Sequence, residues 1–593
     1  MIKRIIFSLF IFLFLLTSKI FAAGEFQADY SVNYAISPIG TTIVTQNVTL
    51  TNKLTNLYPK RYNITIDSDK IKNVIATDQV GAITPSIALK DGKTEIGIDF
   101  NTQNAGVGKK TLFTLRYEHG DVAHKNGRIW EILIPGVEND ADLGTYTTTL
   151  SVPSSFGPVA YLNPRPNHGA WTKEQMVQGG IVAAYGNEQV FALTLSYYLE
   201  NNSVASKDLE VALPPDTAFQ SVTIDSISPQ PKTVIRDADG NWLARYNLNP
   251  GQKLEITANL TVRIYLSPKK EWVTEPINPD DYLSPSRYWE VYDARITKLA
   301  QTYRTPRQIY DYVVTSLSYD YQRVTQNPAR LGAVGVLVNP KSAICMEFTD
   351  LFIAIARAAG IPAREVVGYA HTTNSKLRPL SLVSDVLHAW PEYYDSDRNI
   401  WIPVDPTWAN TTGGVDYFNT LDFNHIVFAI HGKSSELPYP AGFYRNAAKS
   451  GKDVEVRFVE TKPDEITAGP LTITIDFPDK VTGGIRSTGH VFVKNESGNS
   501  ISQANISVES KVGNINLSKV EKNIPPYASV DIPVEIKTTS YGLMEEGRLI
   551  VNVDGQIKTH SFTVRPIYWV TLPYVAVVAG GMILFVLWKY LRR

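Results

Sequence analysis

"KSAICMEFTDLFIAIARAAGIPAREVVGYA" runs from Lys341 to Ala370 and holds Cys345, the only cysteine in 593 residues. Pro340 disfavours helix for the residue before it. After Cys345 the apolar residues Phe348, Leu351, Phe352, Ile355, Ala356 and Ala359 recur at steps of three and one. That spacing predicts a helix with one apolar face, ended by Gly360 and Pro362. Cys345 then sits in or near the first turn, where the positive end of the helix dipole favours a thiolate. It also extends the apolar stripe, so position alone leaves open a buried small hydrophobe. The partners must decide.

A thiolate needs a base and an orienting group. "HAWPEYYDSDRNIWIPVDPTW", His388 to Trp408, offers both. The polar stretch Asp395 to Arg398 lies between two aromatic-rich runs and predicts a hairpin centred at 396.5. That register sets His388 opposite Asp405 on one face, with Cβ atoms about 4.5–5.5 Å apart. Asp405 can then accept from one imidazole nitrogen while the other faces a thiol. A bulge would spoil the register, and Pro391, which cannot donate a ladder bond, is where irregularity is expected. Alone, a strand histidine is usually a polar surface or core residue, and Asp before Pro is usually a turn former. The combination of Cys345, His388 and Asp405 carries the weight.

The chain is several times the usual domain size, so several domains are expected. Apolar residues make up 44%, charged residues 19% and the formal net charge is −1. No bulk field attracts a polyanion, and nucleic-acid binding has no support. Lys3 and Arg4, the apolar run Ile5–Leu16 and the small residues Ala22 and Ala23 read as a signal peptide over 1–23, with an uncleaved anchor as the alternative. "FQADYSVNYAI" from Phe26 alternates as a half-buried strand does, and little of 24–186 reads as helix, giving an N-terminal β-sandwich. A second β domain is expected over 187–270 and a Pro-rich linker over 271–284. The period turns helical afterwards: Thr305-Pro306-Arg307-Gln308 is a capping box with Pro at the first helical position. Residues 285–435 read as α+β and 436–452 as a linker. The two-residue period returns in an immunoglobulin-like sandwich over 453–565.

Ile567–Trp588 carries no charge and is long enough to cross a hydrocarbon core; Lys589, Arg592 and Arg593 follow at once. The expectation is one C-terminal transmembrane helix over 567–588, a cytoplasmic tail over 589–593 and an extracytoplasmic large domain in the cell membrane.

The motifs together resemble the transglutaminase-like superfamily of papain-like thiol enzymes: Cys345 opening a helix, "GIPAREVVGY" (Gly360–Tyr369), "HAWPEYY" (His388–Tyr394) and "WIPVDPTW" (Trp401–Trp408). The resemblance spans roughly 285–435. It implies Cys345 as nucleophile, His388 as general base and acid, and Asp405 as orienter. Ala343 stands where many members have Gly, two residues before the cysteine. The Cys345 backbone N–H is the natural first oxyanion donor, with Tyr319, Tyr321 or Asn339 as the second. The fold class expected is multidomain and mostly β, with sandwich domains flanking an α+β catalytic domain, plus the membrane helix. The function expected is amide chemistry on a protein or peptide substrate through a Cys thioester, ending in hydrolysis or transamidation. This chemistry requires no metal or organic cofactor. The alternative is a surface scaffold or adhesion protein whose transglutaminase-like domain is idle, with the flanking β domains as spacer or binding platform.

Overall fold

The computed structural model describes residues 24–269, 278–324, 328–370, 387–412, 416–419, 421–444, 452–460, 471–513, 515–538 and 542–592. The signal peptide expected over 1–23, residues 271–277 of the linker expected over 271–284 and residues 445–451 of the second linker lie outside them. The chain is mostly strand, in two compact units: Met1–His124, Glu131–Phe156 and Leu162–Ala183 form one, and Lys125–Trp130, Gly157–Tyr161 and Ala184–Arg593 the other.

In the first unit, alternation builds a six-stranded sheet. Its order is Leu143–Ser151, Phe26–Ile36, Thr42–Asn52, Lys110–His119, Ile71–Asp78 and Ala82–Ile83. Val32, Tyr34, Val44, Val48, Phe113 and Leu115 are buried from it. A three-stranded sheet, Arg61–Ile66, Lys93–Asp99 and Ser86–Lys90, meets it where the Tyr62 and Phe113 rings lie 5.1 Å apart.

In the second unit, Gln189–Glu200 and Lys253–Ile264 pair along their whole length, and their alternating residues fill one core with Trp242 and Tyr246. Val454–Phe458, read from sequence as the start of the C-terminal sandwich, pairs instead with Phe191–Leu195 in this sheet. Two further sheets, one centred on Arg486–Asn495 and one on Glu545–Val553 and Gln556–Arg565, enclose a separate valine- and isoleucine-rich core.

Between these regions lies the α+β part. Thr305 and Gln308 close the expected capping box, each side chain bonding the other's backbone N–H at 3.3 Å. A helix runs from Cys345 to Ala358, and Gly360 leaves it at φ +80°, as the sequence spacing implied. One departure is its burial. The expected one-sided stripe is buried nearly all round, because a four-stranded antiparallel sheet covers one side and helices Ala294–Thr302, Pro306–Ser316 and Gly332–Val338 pack elsewhere on it. Its buried carboxyl groups have partners: Glu347 accepts from Arg323, and Asp350 from Arg330 and from Trp289 Nε1 at 2.9 Å.

The covering sheet has the order Ile400–Pro403, Leu387–Asp395, Ala363–Ala370 and His425–His431. The outer edge of its last strand is closed by two side chains from the second β region. Gln220 exchanges hydrogen bonds with the backbone of Val427 at 2.8 and 3.0 Å, and Asn241 does the same for Ile430 at 2.7 Å. Both carboxamides are buried. The C-terminal helix, Tyr568–Leu591, contains a stretch, Thr571–Leu591, long and apolar enough to cross a membrane and not buried against the protein.

Candidate active site

Cys345 is the first residue of its helix, and Ile344 before it is extended. Glu347, three positions on from Ile344, reaches back to the Ile344 N–H at 3.0 Å and accepts the Leu331 N–H at 2.9 Å. A buried carboxylate therefore fixes the turn that presents the thiol. The preceding loop is held from its other side, where Asp320 N–H bonds Ala343 O at 2.8 Å and Tyr319 bridges Ala343.

His388 is the second residue of Leu387–Asp395. Its neighbour across the sheet is Gly368 of "GYA". A Cβ at Gly368 would stand 1.9 Å from Ile426 O and 2.8 Å from the Trp390 ring, so only glycine lets these strands approach. The His388 ring lies between Trp390 and Trp408, at centroid distances of 5.7 and 5.9 Å.

Asp405 meets His388, but not by the expected route. The hairpin turn occupies 396–399, one residue later than read, and Asn399 completes it at φ +52°. Tyr393 therefore pairs with Ile402 and Tyr394 with Trp401, a register two residues from the expected one. Asp405 lies beyond the strand, as the N-cap of Pro406–Thr411. Oδ1 accepts the Trp408 N–H at 2.9 Å, and Oδ2 accepts from His388 Nε2 at 2.7 Å. "DPTW" is thus a cap, a proline at the first helical position and a ring packed on the histidine. Pro391 sits in a regular stretch opposite Glu365; the irregularity falls between Val367 and Gly368, against His425–His431.

The bond to Asp405 leaves His388 Nδ1 as the nitrogen for Cys345. It is buried, and no protein group among the described residues closes a well-aligned hydrogen bond on it. Burial disfavours the imidazolium, but the Asp405 carboxylate outweighs it and, with a smaller contribution from Cys345, pushes His388 up to about 9. Burial works against the Asp405 anion too, yet His388 and His425 hold that carboxyl well below the usual range.

His425 is the residue that sequence reasoning missed. Its Nε2 lies 3.0 Å from the same Asp405 Oδ2, and its Nδ1 lies 2.7 Å from Asp422 Oδ1. No motif marks it; the one local signal was an Asp three residues before a strand histidine. Ligand-type atoms of His388, Asp405 and His425 lie within 4.8 Å of one another. Within the group, both histidine Nε2 atoms are bonded to the one Asp405 Oδ2. A cavity of about 160 Å³ reaches the His425 and Asp422 end of this row, not the thiol end. Of the three candidate oxyanion donors, Tyr321 is exposed and the Asn339 amide donates to Ser342 Oγ at 2.7 Å. The Tyr319 hydroxyl is buried with no hydrogen-bond partner among the described residues, and burial, then the Cys345 charge, raise it above the usual tyrosine range.

Residues 292–406 match the family model of the transglutaminase-like superfamily. A protein-glutamine gamma-glutamyltransferase of Pseudomonas aeruginosa is 30% identical over 115 residues, covering 19% of this chain and 17% of that one. The chain thus aligns with only a small part of that relative. Among solved structures, a Cytophaga hutchinsonii protein provisionally named a cysteine protease superposes with TM-score 0.33 and 20% identity over 47% of this chain and 93% of its own. A CARDB domain from Pyrococcus furiosus does so with TM-score 0.14 and 18% identity, over 16% of this chain and 92% of its own. Residues 292–406, which include Cys345, His388 and Asp405, are therefore a transglutaminase-like superfamily segment of the chain.

Proposed function

We propose that this chain is a membrane-anchored thiol enzyme acting outside the cytoplasm on peptide or glutamine-type amides. The observation that supports this most directly is the His388 imidazole, tied by Nε2 to Asp405 and left by Nδ1 to a cysteine at a helix start. In this reading Cys345 Sγ, its proton passed to His388, attacks the carbonyl carbon. The C=O electron pair moves onto oxygen, held by the Cys345 N–H and the Tyr319 hydroxyl. The C–N bond then breaks, the amine leaves with the proton from His388, and a thioester remains on Cys345. Water or a second amine takes the acyl group, with His388 drawing the acceptor's proton. The helix over 571–591 anchors the protein, and the basic residues after Trp588 stay cytoplasmic.

The test is mass spectrometry of peptide and protein substrates incubated with the full-length chain in detergent, with and without an added primary amine. Cleavage of a side-chain or main-chain amide, or amine incorporation, that disappears in Cys345→Ala is expected. Products identical in both proteins, or none across a broad panel, would leave the scaffold reading in its place.

A further inference from the structure

We infer that His425 is a positioning residue for this site: an imidazolium held between Asp405 and Asp422 that shares the Asp405 carboxylate with His388 and limits how basic His388 becomes. The inference rests on the proposed thiol–imidazole reading and adds a residue outside the family-matched segment, which ends at 406.

The geometry carries it. Both ring nitrogens of His425 lie against carboxylate oxygens, at 2.7 and 3.0 Å. A carboxylate only accepts, so both nitrogens must carry protons, and the ring is a cation. Removing either proton would turn a nitrogen lone pair onto an anion in a site nearly closed to water. The raised proton affinity of His425 agrees: burial opposes its charge, and Asp422 and Asp405 more than offset that.

Two imidazoles therefore compete for one oxygen, Asp405 Oδ2, with ring centroids 5.5 Å apart. When both are protonated they repel, and a fixed charge on His425 lowers the affinity of His388 for its proton. Among the described residues, the other titratable groups facing this row are Cys345 from the helix start, Tyr319 from the segment after Pro306–Ser316 and Tyr310 from within that helix. None of them supplies a second cation. The arrangement matters because His388 must release its proton to the departing amine. With Asp405 alone it would hold that proton more tightly; with His425 also on the carboxylate it is returned toward working pH.

The single cysteine makes a clean reporter. The rate of Cys345 alkylation by iodoacetamide is measured against pH on the full-length chain in detergent, in wild type, His388→Ala, His425→Gln and Asp422→Asn. Wild type should alkylate already at neutral pH and show a further step near pH 9, whereas His388→Ala should lose the neutral-pH rate and follow a single thiol ionisation. In His425→Gln the step should move up by roughly one to two pH units, since a like charge a few ångströms away has been removed. Asp422→Asn should shift it the same way by a smaller amount. There the Asn amide can donate to Nδ1, so His425 becomes neutral with its shape and place kept. Thermal melts establish that the variants are folded. A folded variant whose step stays in place or moves down overturns the inference, as does loss of folding in both, which would make the pair a structural element. If wild type and His388→Ala give the same profile, the thiol–imidazole reading itself fails. A His388-dependent step that His425→Gln leaves in place removes only the positioning role of His425 and spares that reading.

Discussion

Asp405 caps a helix by accepting the Trp408 N–H at 2.9 Å with one carboxylate oxygen, and that cap aims the other oxygen at His388. Cap and orienter are one side chain, so the two roles can be separated by substitution. Asp405→Asn keeps an acceptor for Trp408 but turns an N–H or an uncharged oxygen toward His388. Amide turnover should fall by about 10²–10⁴-fold with the melting temperature little changed. Asp405→Ala loses the cap as well, at about 1 kcal/mol or more of stability. Kinetics and thermal melts on the two variants separate these effects.

Stability should fall with rising pH on the alkaline side of neutrality. His388 and His425 both rise from 6.5 to about 9 on folding. Between those values the folded chain binds more protons than the unfolded one. Their contribution is therefore complete below about pH 6.5 and is lost as pH climbs through about 9. Melting temperatures at pH 6, 7, 8 and 9 should decline in sequence, and more shallowly in His425→Gln. A flat wild-type profile would contradict the protonation states assigned to this row.

Tyr319→Phe should separate acyl transfer from thiol reactivity. The hydroxyl is buried without a partner among the described residues and interacts with Cys345. Removing one donor to a developing oxyanion costs about 10²–10³-fold in turnover. Iodoacetamide alkylation forms no oxyanion, so its rate at Cys345 should stay within about twofold, while Cys345-dependent release of p-nitrophenol from p-nitrophenyl acetate should drop. Equal losses in both assays would mean that Tyr319 only supports the fold.

Gly368→Ala tests the close approach of strands beside His388. The added methyl would stand 1.9 Å from Ile426 O, a backbone atom that cannot rotate away. Overpacking of this kind costs roughly 1–3 kcal/mol. Because the neighbouring obstacle is Trp390, which lies against the His388 ring, activity should fall as well. Chemical denaturation paired with an activity assay checks both.

The Cys345 helix was readable because its start and end follow local rules: apolar spacing after Cys345, glycine at 360 and proline at 362. The hairpin was harder. Asn399 tolerates the left-handed region, and its place in the turn moved the register by two residues. A shift of two leaves each side chain on its original face, so Asp405 was placed in the right neighbourhood by the wrong geometry. His425 could not be found this way. Its position depends on a strand whose edge is satisfied by Gln220 and Asn241, each nearly two hundred residues or more from its partner in sequence. Val454–Phe458 misled for a similar reason, since strand alternation is visible locally but the choice of sheet is not.

The pair of carboxamides at that edge bears on modularity. Gln220 and Asn241 stand where a fifth strand would pair, so the α+β segment excised at its own sequence borders would bare the backbone groups of Val427 and Ile430. Such a fragment would be prone to pairing with copies of itself. The flanking β region is then a chaperone built in cis, and recombination that swapped it for another spacer would have to carry two amides at matching depth. The segment that carries Cys345 and the β region beside it would therefore be transferable only as one piece.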